Sequence, residues 1–271
     1  MLILLPPSEG KTAPRRGRPL DLESLSFPKL YGARVDVLDA LVALCTTDDH
    51  PDLPHHAEAA RHVAAETLGL GRTQESEVDR NAALRSAPTA RADQVYSGVL
   101  YEALDLPSLT GAARRRATSW VAIASGLFGL VRPGDRIPAY RLAGGVTLPG
   151  VGPVATWWSR HLAPAVEEAA GRGLVVDLRS STYTPFWRPG PETARRVVTV
   201  RVLHEVDGTR KVVSHFNKAT KGRVVRGVVE DGGAPATPAA FAEQLADLGW
   251  HVETGPSGKQ GTRLDVVVGD L

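Results

Sequence analysis

"MLILLPPSEGKT", residues 1–12, sets an apolar run against a loop that ends in Gly-Lys-Thr. "MLILL" reads as a buried strand. Pro6 and Pro7 stop it, and "PPSEGKTAPRRGRP" reads as a loop. Gly10-Lys11-Thr12 invites comparison with a phosphate-binding P-loop, but that motif needs a glycine where Leu5 stands. Ala13 and Pro14 also oppose an immediate helix. A cradle of backbone amides is therefore not expected, and Lys11 is left either as a point charge that holds an anion or as a solvated loop lysine.

Working outward, "SWVAIAS" (119–125) and "LVVDLRS" (174–180) repeat the buried-strand pattern. Helical spacing appears at 34–46 and 57–69, joined by the polar "TTDDHPDLPHH", while 71–95 is polar with weak helical character. "TGAARRRA" (110–117) reads as a basic helix, "GLFGLVRPGD" (126–135) as a glycine-punctuated turn, and "RIPAYRLAGG" (136–145) as extended chain. Residues 156–173 read as a helix with Thr156 at its cap and glycines closing it. "RRVVTVRVLHEV" and "RKVVSHF" flank "DGT" as a hairpin, 218–233 is helical, and 237–249 is a helix capped by Thr237 with Pro238 in its first turn. "WHVET" and "RLDVVVG" close the chain as strands. With strands and helices interspersed and no clean linker, residues 1–271 are expected to form one α/β (α+β mixed) domain around a central mixed sheet.

Composition narrows the function classes. The net charge of +2 does not announce a nucleic-acid binder, so the distribution of charge matters more than its sum. Lysine is confined to positions 11, 29, 211, 218, 221 and 259. The single cysteine, Cys45, excludes an intrachain disulfide and sits in an apolar helical pattern, as a core thiol would. "MLILLPP" lacks the basic flank of a signal peptide, and no apolar run nears the roughly 20 residues a membrane helix requires. A soluble cytoplasmic protein without a membrane partner is expected. His50, His55, His56 and His62 cluster, but no metal-ligand spacing is present, so neither metal nor cofactor is expected. No G-x-S-x-G elbow marks a serine hydrolase.

Three further stretches could carry chemistry. "SGLFGLVRPGDRIPAYRL" (125–142) places Arg132, Asp135, Arg136 and Arg141 in an otherwise apolar context, with Tyr140 beside them. Charges in such surroundings need partners. Asp135 can pair one arginine in an internal network, or leave the others free for an external anion. Gly126 and Gly129 let this backbone turn sharply or approach another group closely. "VVDLRSSTYTPFW" (175–187) delivers Ser181 and Tyr183 at the carboxyl end of a buried strand, where open α/β sheets bind ligands, unless these hydroxyls merely cap a turn. "HFNKATKGRVVR" (215–226) places Lys218 and Lys221 on one helical face, either as binding groups or as a solvated surface.

These stretches resemble the YaaA family of bacterial proteins linked to peroxide stress. The likeness rests on "MLILLPPSEGKT", "VYSGVLYEAL" (95–104), "SGLFGLVRPGDRIPAYRL", "TWWSRHL", "VVDLRSSTY" and "VVSHFNKATKGRVVR", and spans nearly the whole chain. It implies a cytoplasmic protein with a YaaA-like α/β fold that binds DNA through a basic groove and a helix-hairpin-helix element and limits oxidative damage. The matching positions include Lys11, Tyr96, Gly98, Gly126, Gly129, Arg132, Pro133, Asp135, Tyr140, Arg141, Trp158, Ser181, Tyr183, Lys218, Lys221 and Gly222. Two departures stand out. Where many members read Arg-Leu-Glu, this chain has Arg141-Leu142-Ala143, which removes a carboxylate expected near Arg141. Residues 34–90 also lack a clear glycine-rich hairpin signature.

Two functions follow as expectations. A DNA-binding stress protein would lay "RRGR" (15–18), "RRR" (114–116) and the 218–226 segment along a groove, without sequence-specific readout. An enzyme or receptor for a small anionic, nucleotide- or nucleobase-like ligand would instead gather Lys11, Arg132, Asp135, Tyr140, Arg141, Ser181, Tyr183, Lys218 and Lys221 into one site.

Overall fold

The computed structural model describes residues 1–46, 54–206, 208–211 and 213–269. In chain order the elements are β1 (Leu2–Leu5), α1 (Tyr31–Cys45), α2 (Pro54–Thr67), α3 (Ser76–Ala82), β2 (Ala90–Arg91), α4 (Ala92–Val95), α5 (Val99–Leu104) and α6 (Gly111–Trp120). Then come β3 (Val121–Ser125), β4 (Gly129–Val131), β5 (Arg136–Ile137), β6 (Thr147–Leu148), β7 (Gly152–Pro153), α7 (Val154–Ala170) and β8 (Val175–Asp177). The chain closes with α8 (Pro191–Ala194), β9 (Val197–Val206), β10 (Thr209–Lys211), α9 (Ser214–Asp231), α10 (Pro238–Asp247), β11 (His251–Gly258) and β12 (Gly261–Val268).

The main sheet runs β11-β12-β9-β8-β1-β3-β4, with β10 paired to β9. β1 lies in its interior, parallel to β3 (Ile3 opposite Val121) and to β8 (Leu2 opposite Val175). β8, β9 and β12 continue the parallel set, whereas β4, β10 and β11 join as antiparallel partners, so the sheet is mixed. The apolar runs that form β1, β3 and β8 are buried throughout, as expected of strands covered on both faces. Because these three strands are parallel, their carboxyl ends (Leu5, Ser125 and Asp177) share one edge of the sheet.

Several local readings are corrected. The glycine-punctuated turn at 126–135 contains β4, a short antiparallel return onto β3. Gly129 sits at φ 71, and a Cβ there would meet the Trp158 ring at 2.6 Å, so both the conformation and the close approach require glycine. The strand expected over 210–216 ends at Lys211, and the helix expected from 218 already begins at Ser214. α7 starts at Val154 behind Pro153, leaving Thr156 inside the helix instead of capping it. Thr237 does cap α10, its Oγ1 accepting from the Ala240 N–H at 3.2 Å. Cys45 is a buried thiol of α1, pushed up to about 11 by burial. Most of the connection between α1 and α2, with His50, lies outside the described residues, as do the side chains of His55 and His56.

Candidate functional site at the carboxyl edge of the central strands

The loop after β1 is fixed from several sides. No helix follows Thr12; instead Lys11 forms an antiparallel bridge with Tyr96, and the Thr12 N–H donates to the Val95 carbonyl at 2.9 Å. Ser8 Oγ donates to the Gly10 carbonyl and accepts from the Ser97 N–H at 3.1 Å. Tyr101 donates its hydroxyl to the Pro6 carbonyl at 2.6 Å. The segment "PPSEGKT" is therefore a rigid strap, whereas the P-loop geometry would have wrapped it around phosphate.

This strap turns the Lys11 ammonium inward. Nζ donates to the Ser8 carbonyl at 3.0 Å and the Glu9 carbonyl at 3.4 Å, and lies 4.1 Å from the Tyr140 ring centroid and 5.6 Å from that of Tyr96. Burial lowers Lys11 to about 8; Glu9 opposes the shift and Arg141 adds to it. The Tyr140 hydroxyl lies 2.7 Å from Ser125 Oγ and 2.9 Å from the Tyr96 hydroxyl, a buried hydroxyl chain at the end of β3. Burial pushes both phenols up, so they remain protonated donors.

Arg141 enters from the segment after β5. Its backbone is clamped by Asn81 of α3, whose Nδ2 donates to the Arg141 carbonyl at 2.8 Å and whose Oδ1 accepts from the Arg141 N–H at 2.9 Å. The guanidinium Nη1 meets the Glu9 carboxylate at 3.2 Å. The carboxylate that seemed missing at position 143 is thus supplied by Glu9, from the other end of the chain. The Tyr183 hydroxyl donates to the same carboxylate at 3.4 Å and accepts from the Gly144 N–H at 3.3 Å. Arg141 Nε–H is buried with no acceptor among the described residues. Glu9, by contrast, has a side chain that is 50% exposed, so solvent reaches the anion position on Arg141.

Lys11, Tyr140, Arg141 and Tyr183 are accordingly brought into one cluster. Ser181 and Lys221 lie at the same edge, near the end of β8, and Lys218 stands one turn before Lys221 on α9. Ser181 and Lys218 are exposed, and Lys221 donates to the Leu178 carbonyl at 3.0 Å. Arg132 and Asp135 are held elsewhere. Arg132 Nη1 donates to the carbonyl of Val121 at 3.0 Å, at the opposite end of β3, roughly 13 Å along the strand from Ser125. Asp135 accepts from the Arg132 N–H and from both the N–H and hydroxyl of Ser26, forming an internal network.

Sequence reasoning missed four side chains of this region. Glu9 and Asn81 act on Arg141 across long sequence separations. Asp177 and Arg179 form a buried bidentate pair at 2.9 and 2.7 Å, and Arg179 also donates to the carbonyls of Tyr183 and Trp187. Their spacing, two residues apart at a strand end, was the available signal.

The basic runs are engaged internally in part, while Arg115, Lys218 and Arg223 are exposed. Arg114 donates to Asp93 and the Leu106 carbonyl, and Arg116 to the carbonyls of Val229 and Glu230. Arg226 is bound to the carbonyls of Leu104 and Asp105. Arg15, Arg16 and Arg18 are exposed.

Fold and cluster together define an α/β protein whose cationic site lies at the carboxyl edge of parallel strands. A family model described as peroxide stress protein YaaA matches residues 1–252, and the chain belongs to that peroxide-stress family. It is 50% identical to the UPF0246 protein SCO2297 of Streptomyces coelicolor, with 100% of each chain covered. It is 42% identical to the UPF0246 protein CE1889 of Corynebacterium efficiens over 98% of this chain and 100% of the relative. Among the described residues, no helix is long and apolar enough to cross a membrane.

Proposed function

We propose that this member of the peroxide-stress family binds a small anionic ligand, with nucleotide-like compounds as the first class to test, at the Lys11–Arg141–Tyr183 cluster. The observation that carries the reading is Arg141. Its backbone is clamped, and among the described residues its fork meets only one half-exposed carboxylate and keeps a buried N–H without an acceptor. A phosphate or carboxylate group that displaces Glu9 can take two parallel hydrogen bonds from such a fork. Lys11 adds a second positive charge and Tyr183 a donor hydroxyl.

Binding along a DNA backbone is the weaker reading for this chain, because Arg114, Arg116 and Arg226 donate to internal acceptors. The exposed Arg15, Arg16 and Arg18, with Arg115, Lys218 and Arg223, are what favours it. The test is a thermal-shift titration with inorganic phosphate, nucleoside monophosphates and a short DNA duplex at two salt concentrations. The site reading expects stabilisation by the small anions that vanishes in Arg141→Ala and survives replacement of Arg15, Arg16 and Arg18 by alanine. Stabilisation by DNA alone, steeply lost with salt and with those three arginines, would overturn it.

A further inference from the structure

We infer that Lys11 is a carbonyl-reactive amine: the ligand of this site is an aldehyde or ketone bearing a carboxylate or phosphate, which Arg141 holds while Lys11 Nζ closes on the carbonyl carbon as an imine. The inference rests on the anion-site reading and adds the chemical class of the ligand.

The placement of Nζ is the first support. A surface lysine lays its stem on apolar groups and sends its ammonium to water. Lys11 does the reverse, with its head over the Tyr140 ring and between two neutral carbonyls. Among the described residues, no carboxylate lies within ion-pair distance of it, although Glu9 is near enough to influence it. Such surroundings hold an ammonium weakly, and a lysine desolvated beside another cation is the usual form of an activated amine. The bridge to Tyr96 and the Ser8 contacts fix the backbone that carries it, so the nucleophile is oriented before a ligand arrives.

The second support is the company it keeps. Imine formation needs a group that relays protons and an anchor for the substrate's charge. Glu9 and Tyr183 supply the first and Arg141 the second, these three joined in one contact network that adjoins Lys11 through the Glu9 carbonyl to which Nζ donates. The neutral Nζ attacks the carbonyl carbon, a C–N bond forms, and the carbonyl oxygen takes a proton from the Tyr183 hydroxyl, giving a carbinolamine. Glu9, released when the bound anion takes Arg141, turns to accept the proton released by nitrogen and returns one to the departing hydroxyl, which leaves as water as the C=N bond forms. The nitrogen's second proton restores Tyr183. Amine and carbonyl become imine and water, with no change of oxidation state.

The test incubates the full chain with glyoxylate, pyruvate or pyridoxal 5′-phosphate, reduces with sodium cyanoborohydride, and maps the adduct by peptide mass spectrometry. Lactate and inorganic phosphate are the carbonyl-free controls. The expected result is an adduct concentrated on Lys11, lost in Lys11→Arg, lost in Arg141→Gln, and competed by phosphate. Adducts spread over the other five lysines, an unmodified Lys11 beside a modified Lys259, or a Lys11 adduct indifferent to Arg141 would each overturn the inference. Phosphate and lactate separate the two claims: if they stabilise the wild type but not Arg141→Gln while no Lys11 adduct forms, the anion site stands and the imine falls. If they fail to stabilise it, the anion site falls with the imine.

Discussion

Replacing Lys11 by methionine removes a part-buried ammonium, and the consequence for stability has a definite dependence on pH. Burial brings Lys11 to about 8 from its ordinary 10.5, with Arg141 and Arg80 pushing in the same direction and Glu9 and Glu77 opposing. That gap corresponds to about 3 kcal/mol of cost to the folded state. The sign follows from proton counts. Below pH 8 the lysine is protonated in both folded and unfolded chains, and the folded state carries the whole cost. Between about 8 and 10.5 the folded lysine is neutral while the unfolded one still binds its proton, so wild-type stability rises with pH. Above 10.5 both are neutral and the cost has gone. Lys11→Met never carries it, so the variant's stability relative to wild type should fall by about 2.5 kcal/mol between pH 7 and pH 10. Packing lost over Tyr140 adds an offset that is the same at each pH. Urea unfolding followed by tryptophan fluorescence, run on both proteins across this range, reads the difference directly. A difference flat to within about 0.5 kcal/mol would show that the ammonium is as well solvated folded as unfolded, and the desolvation reasoning would fail.

Three other outcomes are expected. Asp177→Ala should cost about 3–5 kcal/mol in urea unfolding, because Arg179 would remain buried without its carboxylate; the double change Asp177→Leu with Arg179→Met should cost much less. Gly129→Ala should destabilise by about 2–4 kcal/mol, combining a left-handed backbone with a collision against Trp158, and a loss near zero would refute the packing described for β4. Asn81→Ala, which leaves a backbone donor and acceptor of Arg141 unpaired, should cost about 2–3 kcal/mol and weaken stabilisation by phosphate, measured as a smaller thermal shift than in wild type.

What could be read from the sequence follows the range of the interactions. "MLILL", "SWVAIAS" and "LVVDLRS" were legible as strands because continuous burial leaves an unbroken apolar run. The return strand Gly129–Val131 was not, because three residues between glycines resemble a turn until a neighbouring strand pairs with them. The early start of α9 at Ser214 was hidden for a related reason. "VVSHF" has strand-like composition, and tertiary packing rather than intrinsic preference decides it. In the site, Lys11, Tyr140, Arg141 and Tyr183 could be picked out as charges and hydroxyls at strand ends. Asp135 and Arg132 carried the same signal yet serve the opposite end of β3. Charge in an apolar context shows that a partner is needed, not whether that partner is internal.

Glu9 illustrates why the site depends on the fold as a whole. The loop after β1 carries both an ammonium turned inward and a carboxylate turned toward Arg141, and neighbouring residues on a short strap cannot neutralise one another when their side chains point apart. The folded chain resolves this by using Arg141 and Tyr183, from segments far along the sequence, to hold the carboxylate, while aromatic faces hold the ammonium. The carboxylate then has a guanidinium as counter-ion, and only the ammonium is left to carbonyls and aromatic faces. An incoming anion that takes Arg141 from Glu9 would free that carboxylate to approach Lys11, as proton acceptor when the ligand brings a carbonyl. With phosphate, which brings none, the approach should raise the lysine's proton affinity and couple binding to proton uptake near pH 8, detectable as a buffer-dependent heat of binding, and heats identical in buffers of different ionisation enthalpy would refute the coupling.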